Sequence, residues 1–477
     1  MEKKINFAIF LSRSIGQDRK SLRNWANNVF PEDWTTYFIA RRPMLMEGYA
    51  KNIKVINMYE DPVYKTKVSD QDIKKEEKWL GVSFNSILYS EHLYFHIGKF
   101  KPKKKDKKKI VRHIRFFRKF LEKNKIDFCT IGYPAEVTDI VFYYVVKKMR
   151  IEYYDSFMPF TLSEDTRYVC IKDGVPLQLE DIKERKKERD DIYESIKDLL
   201  LSRNVFLSEV QNLSKLNLGF SFNTLKHKFK QLIEIIKNIN PNESQFNIIE
   251  MTLIYLKEWL NSRMTKRLLE QPKQKENYFY FPLHRKRDSA ITFKAPIETR
   301  DQLKLIRKIS KFLPQDIKLY VKGHPHYLGS DFTRNELKCL KRLKNVRVID
   351  YNANNMDLIR NSMGIITINS TTGYEAIVLE KPLITFGNEY YTKRKGVCIQ
   401  ASINKLDELK DILMKVKKYR GYGIDPEKRK DFIYEYYKCS FPLRGHVFID
   451  IGERMNDQDF ETIKDKTKKA AKLIMNN

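Results

Sequence analysis

The order of apolar segments constrains the fold of this chain more than any other feature. Short apolar runs ended by Gly, Asn or Pro recur between helical stretches, which is the pattern of βα units that build parallel sheets. In the first third we expect strands at 4–11, 35–40, 54–58 and 127–131, then a helix at 138–149 and a strand near 151–154. The sequence therefore predicts an α/β fold that begins with a parallel sheet.

A polar helical stretch separates this part from a second βα series. Residues 177–275 are rich in Lys, Glu, Leu and Ile, and their apolar residues are spaced near 3.6, as at Ile192, Ile196 and Leu199. The alternation then resumes, with strands expected at 278–283, 317–322, 346–350, 364–369 and 383–386 and helices at 300–312, 356–361, 372–380 and 405–418. A closing helix is expected near 457–475.

These patterns divide the chain into four parts. We expect a first Rossmann-like lobe at 1–176, a helical insertion or linker at 177–275, a second Rossmann-like lobe at 276–430, and C-terminal return helices at 431–477. At ~100–200 residues per domain, 477 residues are enough for both lobes. Two lobes of this kind predict a cleft between them.

The chain is strongly basic. Lys and Arg number 91 against 61 Asp and Glu, which gives a formal net charge of +30. This excess favours an anionic partner, such as nucleic acid, an acidic membrane surface or a phosphorylated substrate. Because no zinc-finger, RNP-like or helix-turn-helix pattern accompanies the charge, a nucleic-acid-binding protein is kept only as an alternative.

Cysteine usage and hydropathy indicate the compartment. Five widely spaced cysteines without a CxxC pair predict neither a disulfide framework nor a zinc site, which favours a reducing cytoplasm. The longest purely apolar run, 140–146, has seven residues, far fewer than the ~20 that span a bilayer. The apolar run at 5–11 lacks a cleavage site and is expected to be a strand rather than a signal peptide. We expect a cytoplasmic protein, soluble or peripheral at the inner face of the membrane.

Three short motifs follow predicted strands of the second lobe. They are FPLHRKRDSA at 281–290, KGHPH at 322–326 and NSTTGYEA at 369–376. The carboxyl ends of parallel strands share one edge of a sheet, and ligands of open α/β sheets bind there. We therefore expect the three motifs to converge at one site.

The third motif has two interpretations. A strand followed by Ser370, Thr371 and Thr372, then Gly373 and a helix, would aim free N–H groups and the positive end of the helix dipole at a phosphate. The same residues fit a capping box, in which Thr372 caps the helix and Glu375 reaches back to the cap amide. The sequence leaves both open.

The other two motifs hold candidate catalytic groups. Pro325 keeps the backbone of His324 extended, so His324 could donate to a phosphate or leaving-group oxygen, with Lys322 as a nearby cation. Asp288 follows three basic residues, which would keep its carboxylate ionised for work as a base or nucleophile. The alternatives are a loop histidine without a task, a solvated lysine and an Asp that caps a turn.

Together the motifs resemble those of the capsule-polysaccharide-synthesis and surface-carbohydrate glycosyltransferases, which include bacterial transferases of the acidic sugar Kdo. The first resembles the family's P-L-Q-x-x-x-D-S element at Pro282, Leu283, Asp288 and Ser289, with His284 at the Q position. The second resembles K-x-H-P at Lys322, His324 and Pro325, and the third resembles S-[ST]-x-G-x-E-A at Ser370, Thr371, Gly373, Glu375 and Ala376. The likeness covers 277–388 well and the first lobe loosely.

The resemblance implies a GT-B fold and transfer of a Kdo-like sugar from a CMP-activated donor to a surface polysaccharide or lipid-linked acceptor. It implies catalysis by Asp288 and His324, and a donor-nucleotide site formed by Lys322, Ser370, Thr371, Thr372, Gly373 and Glu375. Glu136, after a strand of the first lobe, and His284 are candidates for the acceptor side. No metal and no cofactor besides the nucleotide-sugar are implied. The teichoic-acid glycerophosphotransferases, which use CDP-activated glycerol, keep polyol-phosphate transfer as an alternative.

One basic segment stands apart from the motifs. Seven of the nine residues 101–109 are Lys, and aromatic and basic residues follow as far as Phe120. This pattern predicts a basic amphipathic helix that adheres to an anionic leaflet at ~1 kcal/mol per basic residue near the surface. The alternative is a solvated Lys loop followed by a helix whose Phe residues face the core.

Overall fold

The computed structural model describes residues 4–11, 19–41, 47–90, 102–131, 134, 136–157, 167–182, 186–202, 260–261, 263–284, 288–323, 332–419, 421–442 and 456–476. Within these ranges, none of the helices combines the length and the apolar character that a bilayer span requires. All five cysteines are free thiols. Residues 203–259, most of the helical insertion expected at 177–275, lie outside the described residues.

The described strands, in chain order, are β1 (Asn6–Leu11), β2 (Thr35–Ala40), β3 (Ile53–Asn57), β4 (Phe128–Thr130), β5 (Glu152–Phe157), β6 (Arg167–Lys172), β7 (Val175–Pro176), β8 (Tyr278–Pro282), β9 (Lys318–Lys322), β10 (Val346–Ile349), β11 (Gly364–Thr367), β12 (Leu383–Thr385), β13 (Ile399–Gln400) and β14 (Ser440–Pro442).

The described α-helices are α1 (Arg19–Val29), α2 (Asp70–Leu80), α3 (Phe84–Leu88), α4 (Lys104–Lys123), α5 (Val137–Lys148), α6 (Lys186–Ser202), α7 (Ser289–Thr292), α8 (Gln302–Phe312), α9 (Arg334–Lys341), α10 (Asn355–Asn361), α11 (Thr371–Val378), α12 (Leu406–Lys418), α13 (Pro426–Cys439) and α14 (Asp457–Asn476).

The chain forms two compact units. The first contains the described residues up to 182 and those from 435 onward, and the second contains those from 186 to 434. The first unit holds a mainly parallel sheet and the second a fully parallel one, each with helices, so the predicted α/β class with two such halves is confirmed. The second unit begins earlier than the expected lobe at 276, because Tyr193 of α6 donates from its hydroxyl to the carbonyl of Val378 on α11 at 2.8 Å.

The first unit is built on a mixed sheet in the order β14-β6-β5-β4-β1-β2-β3, with β7 paired to β6. Strands β1 to β5 pair in parallel, and the antiparallel strands β6, β7 and β14 extend one side. The central strand β1 is rich in Phe, and Phe7 stacks on Phe128 of β4 with ring centroids 4.5 Å apart. The rhythm of short apolar strands therefore produces an aromatic core.

Helix α4 is the predicted basic amphipathic helix, and its aromatic face is part of this core. Phe117 is fully buried and packs against Phe10 and Phe142, with ring centroids 5.5 and 4.9 Å apart. The Phe residues of this segment therefore face the core, as the alternative interpretation expected, and the membrane association of its lysines stays a prediction. Arg115 and Arg118, on the other face, both form ion pairs with the buried carboxylate of Glu76 at 3.1 and 3.2 Å.

The second unit is a six-stranded parallel sheet in the order β10-β9-β8-β11-β12-β13. Strand β8 lies in the middle, where Phe279 and Phe281 are completely buried, as the apolar run at 278–283 requires. Because every strand runs the same way, the residues that follow β8, β9 and β11 lie at one edge of the sheet. The described residues of the three predicted motifs lie at this edge.

Candidate functional site

Helix α11 begins directly after β11 and presents the third motif. Ser370 is its N-cap, and the Ser370 hydroxyl accepts a hydrogen bond from the backbone N–H of Thr372 at 3.1 Å. The carbonyl of Ser370 accepts from the N–H of Gly373 at 2.9 Å. The alternative capping box, with Thr372 as the cap and Glu375 reaching back, is wrong, because the N-cap is Ser370, two residues before Thr372. Ser370 is half-buried and Thr371 is exposed, so their hydroxyls are the accessible groups of this turn.

Glu375 accepts hydrogen bonds from the first turn of its own helix and from α10. Its Oε2 accepts from the side-chain amide of Asn355, at the start of α10, at 2.9 Å. Burial raises the pKa of the Glu375 carboxyl to about 7, opposed by the charge of Lys322 and by hydrogen bonds from Thr372 and Asn355. Lys322, at the end of β9, is itself buried, with 4% of its surface exposed. The structure thus brings Lys322 of the second motif close to Glu375 of the third.

Gly373 is small for a packing reason. A Cβ on this residue would lie 2.7 Å from Cζ and from the hydroxyl of Tyr391, which is completely buried. The Tyr391 hydroxyl donates to the carbonyl of Ser370 at 3.1 Å. Tyr391 therefore covers one side of the first turn of α11, and Gly373 makes room for its ring. Sequence reasoning assigned Gly373 to the nucleotide and gave no role to Tyr391.

His284 lies beneath the same edge. Its backbone N–H donates to the side-chain carbonyl of Gln302, and the Gln302 amide donates back to the His284 carbonyl, both at 2.9 Å. Burial lowers the pKa of His284 to about 4, with Asp288 acting in the opposite direction. His284, proposed from sequence for the acceptor side, is thus a neutral buried residue of the second unit at neutral pH.

Asp288 caps the short helix α7. One of its carboxylate oxygens accepts from the backbone N–H of Ala290 at 2.9 Å, and its carbonyl accepts from the Thr292 hydroxyl at 3.1 Å. The structural alternative, an Asp that caps a turn, is therefore realised, while the half-buried carboxylate still lies at the sheet edge. His324 and Pro325 of the second motif, and the basic residues 285–287, lie outside the described residues.

A buried ion pair near these motifs has no signal in the sequence. The ammonium of Lys294 lies 3.1 Å from the carboxylate of Glu389, whose side chain is 9% exposed. This pair joins the segment after α7 to the loop after β12. Asn355 also escaped prediction, because the sequence does not reveal that this residue, at the start of α10, forms a hydrogen bond with Glu375 of α11.

The first unit has its own polar pair at the carboxyl ends of its strands. Arg41 follows β2 and Glu136 follows β4, and their side chains form an ion pair that is mostly buried. Strand β1 lies between β2 and β4, so the pair bridges three strands. Glu136 also caps α5, where its backbone N–H donates to Asp139 at 3.1 Å. Sequence reasoning located Glu136 and missed Arg41.

Among the described residues, no group of three or more His, Cys, Asp or Glu side chains is arranged to hold a metal ion.

Comparison with known proteins shows that part of the chain is similar to one family. Residues 199–411 match the family described as capsule polysaccharide biosynthesis protein. A curated relative, the capsule polysaccharide export protein KpsS of Escherichia coli, is 29% identical over 131 residues, which cover 26% of this chain. The aligned region spans about a third of that relative, 33% of its length.

Two solved structures align with a larger share of the chain than the curated relative does, at low sequence identity. The beta Kdo 2,7 transferase KpsC of Thermosulfurimonas dismutans is 13% identical, with 74% of this chain and 89% of that chain covered and a TM-score of 0.33. The UDP-GlcNAc 2-epimerase of Methanocaldococcus jannaschii is 14% identical, with 90% and 99% covered and a TM-score of 0.29. The family match contains all three motifs, which confirms the resemblance seen in them. Residues 199–411 of the chain are thus similar to the capsule polysaccharide biosynthesis family.

Proposed function

We propose that the protein is a glycosyltransferase that moves a Kdo-like sugar from a CMP-activated donor onto a surface polysaccharide or a lipid-linked acceptor. The observation that carries the proposal is the convergence of Lys322, Ser370, Thr371 and Glu375 at the carboxyl edge of a parallel sheet. This edge is where open α/β sheets bind nucleotides, and it lies within the part of the chain that matches the family.

In this proposal the second unit holds the donor nucleotide. The exposed hydroxyl of Thr371, the Ser370 hydroxyl and the positive end of α11 attract the phosphate, and Lys322 supplies a cation close by. Glu375 receives the ribose hydroxyls. Because Ser370 already satisfies the N–H groups of Thr372 and Gly373, the phosphate is held by hydroxyls and charge more than by these amides.

Sugar transfer passes through an oxocarbenium-like transition state, so a carboxylate must activate the acceptor hydroxyl or hold the sugar. We assign this carboxylate to Asp288. His324 donates to the leaving phosphate, and its loss is expected to lower turnover ~100- to 1000-fold, as for other preorganised donors. Lys322 and the dipole of α11 offset the remaining charge, so this scheme uses no metal.

The acceptor is assigned to the first unit, at the ion pair of Arg41 and Glu136. A half-buried guanidinium and carboxylate at strand ends can bind an acidic sugar and its hydroxyls. The exposed lysines at the start of α4, such as Lys103 and Lys105, would hold the enzyme at the anionic inner face of the cell membrane. The proposed location is therefore the cytoplasm, peripheral at the membrane.

A nucleotide panel tests the donor class. The thermal unfolding of the full chain is measured with CMP, CDP, UMP, UDP and GDP, and a ligand at ~100 times its dissociation constant stabilises by ~2.7 kcal/mol. Stabilisation by CMP followed by sugar transfer from a CMP-activated donor is the expected result. Selective stabilisation by CDP with transfer of polyol phosphate would replace the proposal with the glycerophosphotransferase alternative. Binding to random RNA or DNA, without any response to nucleotides, would overturn it.

A further inference from the structure

We infer that Tyr280 and Asn355 are positioning residues that orient the carboxylate of Glu375 toward a ribose diol and make the site select ribonucleotides over 2′-deoxyribonucleotides. This inference rests on the proposed nucleotide site and names what determines its sugar specificity. It follows from a chain of hydrogen bonds that joins three elements of the second unit: strand β8, helix α10 and helix α11.

The first link fixes the amide of Asn355. The hydroxyl of Tyr280 donates to Asn355 Oδ1 at 2.7 Å. Tyr280 is a central residue of β8 and is 1% exposed, so its ring cannot swing away. Because an amide oxygen only accepts, the phenol must be the donor, and the amide NH₂ of Asn355 must face the other way.

The second link passes this orientation to Glu375. Asn355 Nδ2 donates to Glu375 Oε2 at 2.9 Å. A flipped amide would place its oxygen against the carboxylate, and Tyr280 prevents this. The backbone of Asn355 is also held, since the preceding residue, Asn354, caps α10 and accepts from Met356 N–H at 2.8 Å. The carboxylate of Glu375 is thus held by two rigid elements.

The Glu375 carboxylate has enough unused hydrogen-bond acceptor sites to bind both hydroxyls of a diol. A carboxylate has about four lone-pair sites, and Asn355 and Thr372 use two of them. Two acceptor sites are left on a half-buried residue, which matches the two hydroxyls of a cis-diol. A 2′-deoxyribose offers one hydroxyl and would leave one acceptor site desolvated and unpaired, which costs binding energy.

The chain offers a matched control for the Tyr280 hydroxyl. Tyr278 lies two residues away on β8, is also buried, and donates from its hydroxyl to the carbonyl of Leu358 on α10 at 2.9 Å. Tyr278→Phe removes a buried hydroxyl that contacts the same helix but leaves the link to Glu375 intact. Tyr280→Phe removes the hydroxyl that fixes Asn355, and Asn355→Ala removes the donor itself.

The experiment measures dissociation constants for CMP and 2′-deoxy-CMP by calorimetry, with thermal unfolding of each variant alongside. The wild-type chain and Tyr278→Phe are expected to prefer CMP at least about tenfold, the worth of a hydrogen bond to a charged group. Tyr280→Phe and Asn355→Ala are expected to reduce this preference to less than about threefold, mainly by weakening CMP.

The outcomes separate this inference from the proposed function. Absence of CMP binding to the wild-type chain would remove both. CMP binding with a ribose preference that survives in Tyr280→Phe and Asn355→Ala would overturn the inference and leave the nucleotide site intact. Equal loss of preference in Tyr278→Phe and Tyr280→Phe would show that the hydroxyls act on the fold alone, and would also overturn it.

Discussion

The Nε2 atom of His284 accepts a hydrogen bond from the backbone N–H of Asn369 at 3.1 Å. This bond ties the loop after β8 to the loop after β11, and the Asn369 side chain adds a second tie by donating to the Ala290 carbonyl at 2.7 Å. The first and third motifs are therefore held together by a neutral imidazole. A charged imidazole would carry a proton on Nε2 and could not accept.

This relationship predicts acid sensitivity. Burial lowers the pKa of His284 from 6.5 to about 4, so the unfolded chain takes up the proton first as the pH falls. The contribution of His284 to the free energy of unfolding is complete above pH 6.5 and declines toward pH 4, by about 3 kcal/mol in total at 1.36 kcal/mol per pKa unit. Denaturant unfolding at several pH values in this window measures it.

The control for this prediction is His284→Gln, which keeps an acceptor and removes the titration. The difference in unfolding free energy between wild type and variant should shrink steadily from pH 7 to pH 4. Since His113 in the first unit is also buried with a lowered pKa, the variant will retain part of the acid sensitivity. Parallel curves for the two proteins would show that His284 does not titrate as the structure indicates.

Asp288→Asn separates catalysis from structure. Asn keeps the oxygen that caps α7 by accepting from the N–H of Ala290 and is as good a cap as Asp. The fold and the CMP affinity should therefore stay unchanged, while transfer falls at least ~100-fold, the lower end of what a general base contributes. Turnover assays with nucleotide titrations measure both. Near-normal transfer would place the catalytic carboxylate elsewhere, with Glu136 as the next candidate.

Glu375→Gln tests whether protonation of the Glu375 carboxylate weakens CMP binding. Only the ionised carboxylate accepts two hydroxyls, so with a pKa of about 7 the CMP affinity of the wild type should fall about tenfold from pH 8 to pH 6. The CMP phosphate also titrates near pH 6, and the variant provides the correction for it. The informative quantity is the ratio of the two dissociation constants across the pH range, and a constant ratio would contradict the assignment.

The same raised pKa affects stability in the opposite sense to His284. Because the pKa of Glu375 rises from 4.5 to about 7 on folding, the folded chain holds the proton longer. The stabilisation from this group is complete below pH 4.5 and is lost as the pH rises to 7. Glu375→Gln should remove that decline in the unfolding free energy, which the denaturant series above also measures.

Gly373→Ala should disturb the first turn of α11. Its Cβ would lie 2.7 Å from two atoms of the buried Tyr391 ring, and overpacking of this kind costs about 1–3 kcal/mol. The displaced ring also loses its hydrogen bond to Ser370, so CMP affinity should fall together with the melting temperature. A variant with wild-type stability and affinity would mean that the Tyr391 ring moves aside at no cost.

Helix α4 allows its two faces to be tested separately. Phe117→Ala should destabilise the first unit by about 3–5 kcal/mol, as for other buried Phe side chains. Charge reversal at the exposed Lys103 and Lys105 should leave stability within about 0.5 kcal/mol and weaken binding to anionic vesicles at least tenfold. Equal sedimentation of wild type and the reversed variant with these vesicles would exclude the lysines as a membrane contact.

The second unit was predictable because its periodicity is simple. All of its described strands are parallel and those from β8 to β12 are largely buried, so continuous apolar runs such as the one that became β8 mark them. The two-residue strand β13, in which Gln400 is exposed, has no such run and was not predicted. The predicted strand at 35–40 and helix 457–475 of the first unit likewise agree with β2 and α14 within a residue. Once the strands were predicted to be parallel, the three motifs that follow them were expected at the same edge of the sheet.

What escaped prediction depends on which elements are neighbours. The aromatic face of α4 has the same sequence pattern whether it faces lipid or Phe10 and Phe142. Short edge strands such as β14 owe their existence to pairing with β6 rather than to their own residues. Asn355 is part of the site only through its hydrogen bond to Glu375, which is 20 residues further along the chain. Local pattern does not specify these contacts.

The return of the chain to its first unit affects the order in which the molecule can assemble during synthesis. Strand β14 completes the edge beside β6, with Ser440 paired to Val169, and α14 contributes Phe460 and Ile474 to the core around Trp25. The residues from 186 to 434 can bury their own core as soon as they emerge from the ribosome. The amino-terminal half must wait with its sheet edge open until residues 440–474 follow, so translation speed and chaperone access in that interval should govern the yield of native protein.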